Sequence, residues 1–378
     1  MDTDILWERK PHTEAKHLVL KNYLNGWYPV MAYQSLKVRY GDQKPRLLVV
    51  DGFAGPGQYL GGKEGSPLIM LRTLLEHDKM PRPDEVDFEF HFIEVDRRCL
   101  QHLQEMVSGL GDLPANISVN YHHGKFRDEF DAILSQVEAE SADFPPSFVF
   151  VDPFGYKEND LSLVGRFLDI ERCESLTFLP LSNIHRFVTE AAVEEALDAL
   201  FMTKQWREAR DLGGDERKAF LMQLYEGQLL DRKGVECVRS FQLLTDSGND
   251  YRLVFDLGDK RGLSIAKDAM WFADPVSGTK FRSRTHSNND LVLFTPEEDL
   301  DTSPLLRELR SRFGTDWFRV EDALDCTLLD TPYREAHLRT PTLKPAEDEG
   351  LIEVDRPGDR GYPRAKDRPP GTKIRFKQ

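Results

Sequence analysis

The chain has 378 residues, of which 40% are hydrophobic, 10% aromatic and 30% charged, and a formal net charge of −15. This length accommodates one large and one small domain, and the composition is too apolar for a disordered chain. No apolar run approaches the roughly 18 residues of a membrane span, the polar start MDTDILWERK is not a secretion signal, and the acidic balance argues against coating nucleic acid through phosphate contacts alone, so a cytoplasmic protein is expected.

Residues 13–37 place Leu18, Leu20, Tyr23, Leu24 and Trp27 at helical spacing, and 42–45 break the pattern, which predicts a leading helix. Short apolar runs bounded by turns follow: RLLVV, FEFHFI, ISVNY, SFVFV and SLTFL, each of strand length. Helical patterns at 67–76, 98–109 and 161–168 separate them. Strands alternating with helices imply a mostly parallel sheet covered on both faces, a Rossmann-like α/β fold. Residues 189–231 read as a long helical insertion, spanning about 187–232. VRSFQLLT and YRLVFDL then flank 246–250 and predict an antiparallel hairpin.

Lys280, Arg282, Arg284 and His286 alternate with Phe281, Ser283 and Thr285, which puts the basic groups on one face of an extended chain. Such a face suits phosphate, and it equally suits an edge strand kept soluble by charge. Acidic residues Glu297, Glu298, Asp299 and Asp301 before Ser303 and Pro304 mark a linker, dividing the chain into domains 1–295 and 296–378. In the second, LLRELRSRFG and TPTLKPAEDEG are helical patterns, and LIEVDR and TKIRFKQ are strands. The loop between them, 358–370, carries Arg360, Arg364, Lys366 and Arg368. Helix, helix, strand, loop, strand reads as a winged-helix-like domain, a module used on nucleic acid or for protein docking. From residue 355 onward eight Lys or Arg stand against three Asp.

In open parallel sheets ligands bind beyond the carboxyl ends of the strands, and the motifs fall there. RLLVV runs into DGFAGPG, where Gly55 and Gly57 let the backbone approach a ligand and Asp51 can hold a cationic or hydroxyl-bearing group, with Phe53 and Ala54 between them. The turn lacks the third glycine of a dinucleotide site and the Lys and Ser or Thr of a phosphate loop. It therefore suits S-adenosylmethionine (SAM), whose amino-acid half carries no phosphate; a purely structural glycine turn would look the same. The second strand ends in Glu94 and Val95, where the Glu94 carboxylate can accept from vicinal ribose hydroxyls, whereas Asp96 reads as a helix cap. Gly124 and Phe126, after the third strand, could edge an adenine pocket. His122 and His123 read as surface or pocket-wall residues, and no metal site is expected. The four cysteines, Cys99, Cys173, Cys237 and Cys326, form no CxxC pair and read as buried thiols. At the fourth strand, FVFV drives into Asp152, Pro153, Phe154, Gly155 and Tyr156. This group suits methylation of a planar exocyclic amine: Asp152 and the Pro153 carbonyl can accept its N–H bonds, and Phe154 or Tyr156 can stack the ring. A proline turn closing a buried strand is the other reading.

DGFAGPG, the GSP at 65–67, FIEVD and FVDPFG, together with AKHLVLKNYL, the HRF around Arg186 and the segment leading to GLSIAKDAMW, resemble the three-Cys-motif partner (TcmP) proteins. That resemblance runs over most of the chain and implies a class I SAM methyltransferase-like fold with a radical-SAM-like partner protein carrying three clustered cysteines, which this chain lacks. DPFG is also similar to the DPPY-type motif of amino-methyltransferases and to the DPFG of tRNA guanine-N2 methyltransferases. KHLVL is similar to the leading helix of an RNA adenine-N6 methyltransferase family, which implies that Lys16 and His17 reach the methionine end of the cofactor or the acceptor. Phe154 stands where the second proline of the DPPY pattern would be, which leaves the acceptor base open. The expectation is a SAM-dependent N-methyltransferase acting on a nucleobase amine in DNA or RNA, with Arg186, Lys280, Arg282 and Arg284 contacting the substrate. The competing expectation is a methyltransferase-like scaffold that docks its partner or nucleic acid and transfers nothing.

Overall fold

The computed structural model describes residues 3–37, 44–78, 80, 83–140, 143–153, 155, 158, 161–282, 300–357 and 370–377. The chain divides into two compact units, Met1–Ile265 with Lys280–Thr285, and Ala266–Thr279 with His286–Gln378. No helix among the described residues is long and apolar enough to cross a membrane.

The first unit is built on an eight-stranded sheet. Its strands are β1 (Arg46–Asp51), β2 (Asp87–Glu94), β3 (Ile117–His123), β4 (Ser147–Val151), β5 (Cys173–Leu179), β6 (Cys237–Leu244), β7 (Asp250–Leu257) and β8 (Lys280–Arg282), in the order β3-β2-β1-β4-β5-β7-β6-β8. The first five pair in parallel. β7 runs antiparallel between β5 and β6, and β8 runs parallel to β6 at the edge. The central strands carry no polar alternation because both faces are covered: Leu47 to Val50 and Phe148 to Val151 are fully buried.

Helix α1 (Pro11–Lys37) covers one face. Its Tyr23 and Trp27 rings pack on Phe148 at 5.4 and 5.8 Å, and Tyr28 meets Phe88 edge-on at 6.1 Å. Pro29 sits inside this helix and cannot donate to the Asn25 carbonyl. His77 Nε2 meets that carbonyl at 2.9 Å, so the group the proline abandons is still satisfied. Helices α2 (Ser66–Leu75), α3 (Arg97–Ser108), α4 (Phe126–Glu140) and α5 (Leu161–Leu168) fill the crossovers.

The stretch expected to be one long helical insertion is broken into short pieces: α6 (Leu181–Phe187), a 3-10 turn, α7 (Glu194–Phe201), a second 3-10 turn at Gln205–Asp211, and α8 (Gly214–Leu230). Met202 in the left-handed region at φ 50° and Gly214 at φ 53° mark two of the breaks. Folding back lets Leu197, Leu200, Trp206 and Leu221 enter one core with the sheet, a burial that a single straight helix could not give. β3 also extends further than expected, so His122 and His123 belong to the strand. His91 Nδ1 and His122 Nε2 lie 2.8 Å apart, and the described residues contain no cluster suited to a metal ion. All four cysteines are free and buried.

Helix α9 (Lys260–Ala273) starts in the first unit, and its residues from Ala266 count with the second. Ala266–Thr279 thus belongs with the C-terminal unit, well before the composition shift near residue 296. The reason is visible in two side chains. Lys267 Nζ donates to the carbonyls of Thr327, Thr331 and Tyr333 at 2.9, 2.6 and 2.9 Å, and Trp271 Nε1 donates to the Pro332 carbonyl at 2.8 Å.

The rest of the second unit comprises α10 (Ser303–Phe313), β9 (Phe318–Arg319), α11 (Val320–Asp330), α12 (Glu335–Leu338), a π turn, α13 (Lys344–Asp348), β10 (Ile352–Asp355) and β11 (Lys373–Phe376). Its strands form an antiparallel sheet in the order β10-β11-β9 over Leu305, Leu309, Val320, Ile374 and Phe376. Arg360, Arg364, Lys366 and Arg368 lie outside the described residues.

Candidate functional site

β1 and β4 are hydrogen-bonded neighbours, with Asp51 opposite Phe150, although they are first and fourth in the chain. This is where the strand order reverses, the position at which open parallel sheets form their ligand crevice. The turn after β1 is held by its own backbone. Gly52 N donates to the Phe150 carbonyl at 2.9 Å, Ala54 N to the Ile93 carbonyl at 2.9 Å, and Gly65 N to the Gly57 carbonyl at 2.7 Å. Gly55 and Gly57 adopt φ of 60° and 77°, the left-handed region that side chains avoid. A Cβ on Gly57 would also stand 2.6 Å from Leu103 Cδ1.

The carboxylates have distinct tasks. Asp51 is fully buried, and its Oδ1 accepts from the Phe53 amide at 3.1 Å. Its Oδ2 is buried as well; burial pushes the carboxyl up to about 7, outweighing the Ser66 hydroxyl and the Phe53 amide, which favour the anion. Glu94, at the tip of β2, accepts from the Gly55 amide at 2.8 Å through Oε2 and from the Asp96 amide at 2.7 Å through Oε1. Each oxygen keeps a lone-pair direction for a hydroxyl ligand. Asp96 caps α3, accepting from Arg98 N at 2.8 Å.

Phe126 and Gly124 complete this side. Gly124 N donates to the Glu94 carbonyl at 3.2 Å, and the Phe126 ring lies 5.2 Å from Phe53 and 5.1 Å from Phe130. Phe126 also lies over Gly52, where a Cβ would come within 2.6 Å of the ring. Gly52 lies outside the expected ligand residues, and its one sequence signal is a side-chain-free position immediately after the strand-end Asp51. Val95 is 62% exposed, beside Glu94 but pointing to solvent. The buried Asp51 carboxyl, the glycines without a Cβ and the Glu94 carboxylate together fit a ligand with an ammonium group, a diol and a flat ring.

Asp152 and Pro153 leave the tip of β4. The Lys16 ammonium, from α1, pairs with Asp152 Oδ2, and the two side chains are only 7% and 17% exposed. Lys16 Nζ also stands 4.7 Å from the centroid of the Phe178 ring. An aromatic wall continues outward, with Tyr251 stacked 5.0 Å from Phe178 and His12 stacked 5.2 Å from Tyr251. Burial first, then the charges of Lys16 and Lys10, hold the His12 imidazole down to about 4, so it is neutral at physiological pH. His17 is buried against Tyr59 at 5.6 Å, and burial and the Lys16 charge keep its imidazole well below its ordinary value. Tyr59 lies close enough for burial and the charges of Asp152 and Asp51 to raise its phenol. His12, Tyr59, Phe178 and Tyr251 carry no motif, and only the fold brings them to the crevice.

The crevice thus gathers Lys16, His17, Asp51, Phe53, Ala54, Gly55, Gly57, Glu94, Gly124, Phe126, Asp152 and Pro153. Phe154 and Tyr156 lie outside the described residues, as does Arg284. Arg186 is exposed on the last turn of α6, with its guanidinium 5.9 Å from the Phe187 ring. Lys280 and Arg282 lie on β8, separated from β4 by β5, β7 and β6, which at strand spacing is roughly 19 Å. A separate polar cavity of about 470 Å³ lies between α8 and β6–β7, lined by Asp215, Lys218, Glu226, Gln242, Asp250 and Arg252, and includes none of the crevice residues.

No protein-family model matches the sequence, and no curated protein matches it. Among solved structures, a Porphyromonas gingivalis W83 protein described as a methyltransferase is 15% identical, with 61% of this chain and 41% of that chain covered and a TM-score of 0.27. The chain therefore spans less than half the length of that protein. A DUF574 family protein from Streptomyces avermitilis is 11% identical over 63% of this chain and 82% of its own, at a TM-score of 0.30. A SAM-dependent methyltransferase from Methanosarcina mazei is 10% identical over 57% and 93%, at 0.26. Likenesses this distant carry no function to the chain.

Proposed function

We propose that this chain is a SAM-dependent methyltransferase that methylates an exocyclic amine of a nucleobase in DNA or RNA. The observation that carries the reading is the adjacency of the β1 and β4 tips, with Asp51 and the Gly55–Gly57 turn on one and Asp152 on the other. Bound SAM would supply an electrophilic methyl group. In this reading Asp51 faces the ammonium end, Glu94 accepts from the ribose hydroxyls, and Phe126, Gly124 and Gly52 shape the adenine slot. Asp152 and the Pro153 carbonyl accept the N–H bonds of the acceptor amine and orient its lone pair. Phe154 or Tyr156 would stack the base, an interaction worth about 1–3 kcal/mol.

The second unit is read as winged-helix-like from its order of helix, strand, helices and two further strands, and its basic C-terminal segment suits nucleic acid. The motif resemblance adds a radical-SAM-like partner with three clustered cysteines.

The test begins with calorimetry of SAM binding, and no heat of binding would end this reading. Labelled methyl transfer onto total DNA, tRNA and rRNA follows, for wild type and Asp152→Ala, with and without the partner. Incorporation by the wild type alone supports it. Equal incorporation by both removes Asp152 from the reaction. One observation favours the scaffold reading, namely that Lys16 already occupies the Asp152 carboxylate; SAM binding without incorporation on any polymer would select it.

A further inference from the structure

We infer that Lys16 is itself a methyl acceptor, a self-modification site inside the crevice; the inference rests on the SAM-dependent reading above. A site for an acceptor amine needs a carboxylate to receive its N–H bonds and an aromatic face to hold it. The Lys16 nitrogen has both, paired with Asp152 Oδ2 and 4.7 Å from the Phe178 ring centroid. Its side chain is 7% exposed, so this seat is enclosed. Its charge also acts on Asp51 at the β1 tip. The nitrogen is thus fixed at the β4 tip by its ion pair, and it is near enough to the β1 tip for its charge to act on Asp51. Lys10 and Lys21, its nearest lysine neighbours in the chain, are exposed.

The transfer balances with the groups present and a methylsulfonium donor. The Lys16 ammonium gives one proton to the Asp152 carboxylate, which frees the electron pair on Nζ. That pair forms a bond to the donor methyl carbon while the methyl–sulfur bond breaks, and the sulfur keeps the bonding electrons as a neutral thioether. Asp152 then releases its proton to water. The product, a methylammonium, keeps its charge, its ion pair with Asp152 and its place beside the Phe178 face.

The full-length protein is incubated with methyl-labelled SAM, digested and mapped by mass spectrometry, while SAM and S-adenosylhomocysteine (SAH) affinities are measured by calorimetry. One methyl label on the peptide containing Lys16, and none on Lys10 or Lys21, is expected. Lys16→Arg, which preserves a cation at the ion pair, should bind SAM and leave that peptide unlabelled. A second readout needs no turnover. A cation at Nζ disfavours the sulfonium of SAM but not neutral SAH, so Lys16→Met should raise SAM affinity relative to SAH by about tenfold. A role confined to stability would leave that ratio unchanged. SAM binding with no label on Lys16, label on Lys10 or Lys21 instead, or an unchanged ratio would each overturn the inference while the methyltransferase reading stood. Failure to bind either ligand would remove both.

Discussion

The Gly55 amide donates to Glu94 Oε2 at 2.8 Å, so the turn after β1 is stapled to the tip of β2 by the carboxylate assigned to the ribose. Both Glu94 oxygens accept from backbone amides, and a glutamine would turn an NH2 group toward one of those donors. Glu94→Gln should weaken SAM binding by about tenfold or more, since a charge-assisted acceptor is replaced by a clash of donors. Calorimetry on a variant with an unchanged circular dichroism spectrum checks this, and an unaltered Kd would remove Glu94 from the cofactor site.

Gly52→Ala places a methyl group 2.6 Å from the Phe126 ring and 3.3 Å from the Phe150 carbonyl. The ring cannot retreat freely, because it stacks on Phe130 at 5.1 Å. Overpacking of this kind costs about 2 kcal/mol. The expected outcome is a lowered Tm and a loss of SAM affinity larger than the stability loss alone explains.

Burial pushes the Asp51 carboxyl up to about 7. Below that pH the group is neutral, and above it the group is an anion. A ligand ammonium prefers the anion, so SAM affinity should rise between pH 6 and pH 8. Asp51→Asn should bind weakly at both values and show no such slope in a titration series.

Asp256, on β7, is fully buried beside Ser175, whose hydroxyl donates to it. Burial, reinforced by the charges of Glu226 and Glu174, pushes its carboxyl up to about 8. A carboxyl raised by folding favours the protonated form in the folded state. Its contribution to stability is complete below the unfolded value near 3.8 and is lost as the pH rises through about 8. Asp256→Asn should therefore melt close to wild type at pH 5 and clearly above it at pH 9. Parallel thermal melts at the two pH values test the sign, and a variant less stable at pH 9 would contradict it.

Lys267 donates to three backbone carbonyls near the end of α11 and just beyond it. Lys267→Met keeps the length of the side chain and leaves those carbonyls without the charged donor, at a cost of about 3 kcal/mol. A shift of the urea midpoint followed by circular dichroism would measure it, and no shift would show that water replaces the ammonium freely.

The parallel half of the sheet was legible because its strands are buried on both faces and read as unbroken apolar runs. RLLVV, SFVFV and SLTFL fall within β1, β4 and β5, and the 161–168 pattern matches α5 to the residue. Asp51, Glu94 and Asp152 stand out for a related reason, since each is a carboxylate at or just beyond the end of an apolar strand. The breaks at Met202 and Gly214 were hidden, because helical periodicity continues across them and only tertiary burial decides where the chain turns. β9, two residues long, carries too short a pattern to read. The wall of Phe178, Tyr251 and His12 was illegible in principle, as its members come from β5, β7 and α1 and meet only once the sheet is ordered.

The ion pair between Lys16 and Asp152 and the hydrogen bond between Tyr23 and Glu174 join residues 136 and 151 positions apart. During synthesis α1 emerges long before β4 and β5, two of the strands it covers. Until β4 and β5 leave the ribosome, its buried Lys16, Tyr23 and Trp27 have neither their ionic partner nor their apolar cover, and such exposed surface invites association with other chains. The fold thus delays the burial of a helix that carries a residue of the crevice. The crevice is complete only once β4 and β5 have paired beneath α1.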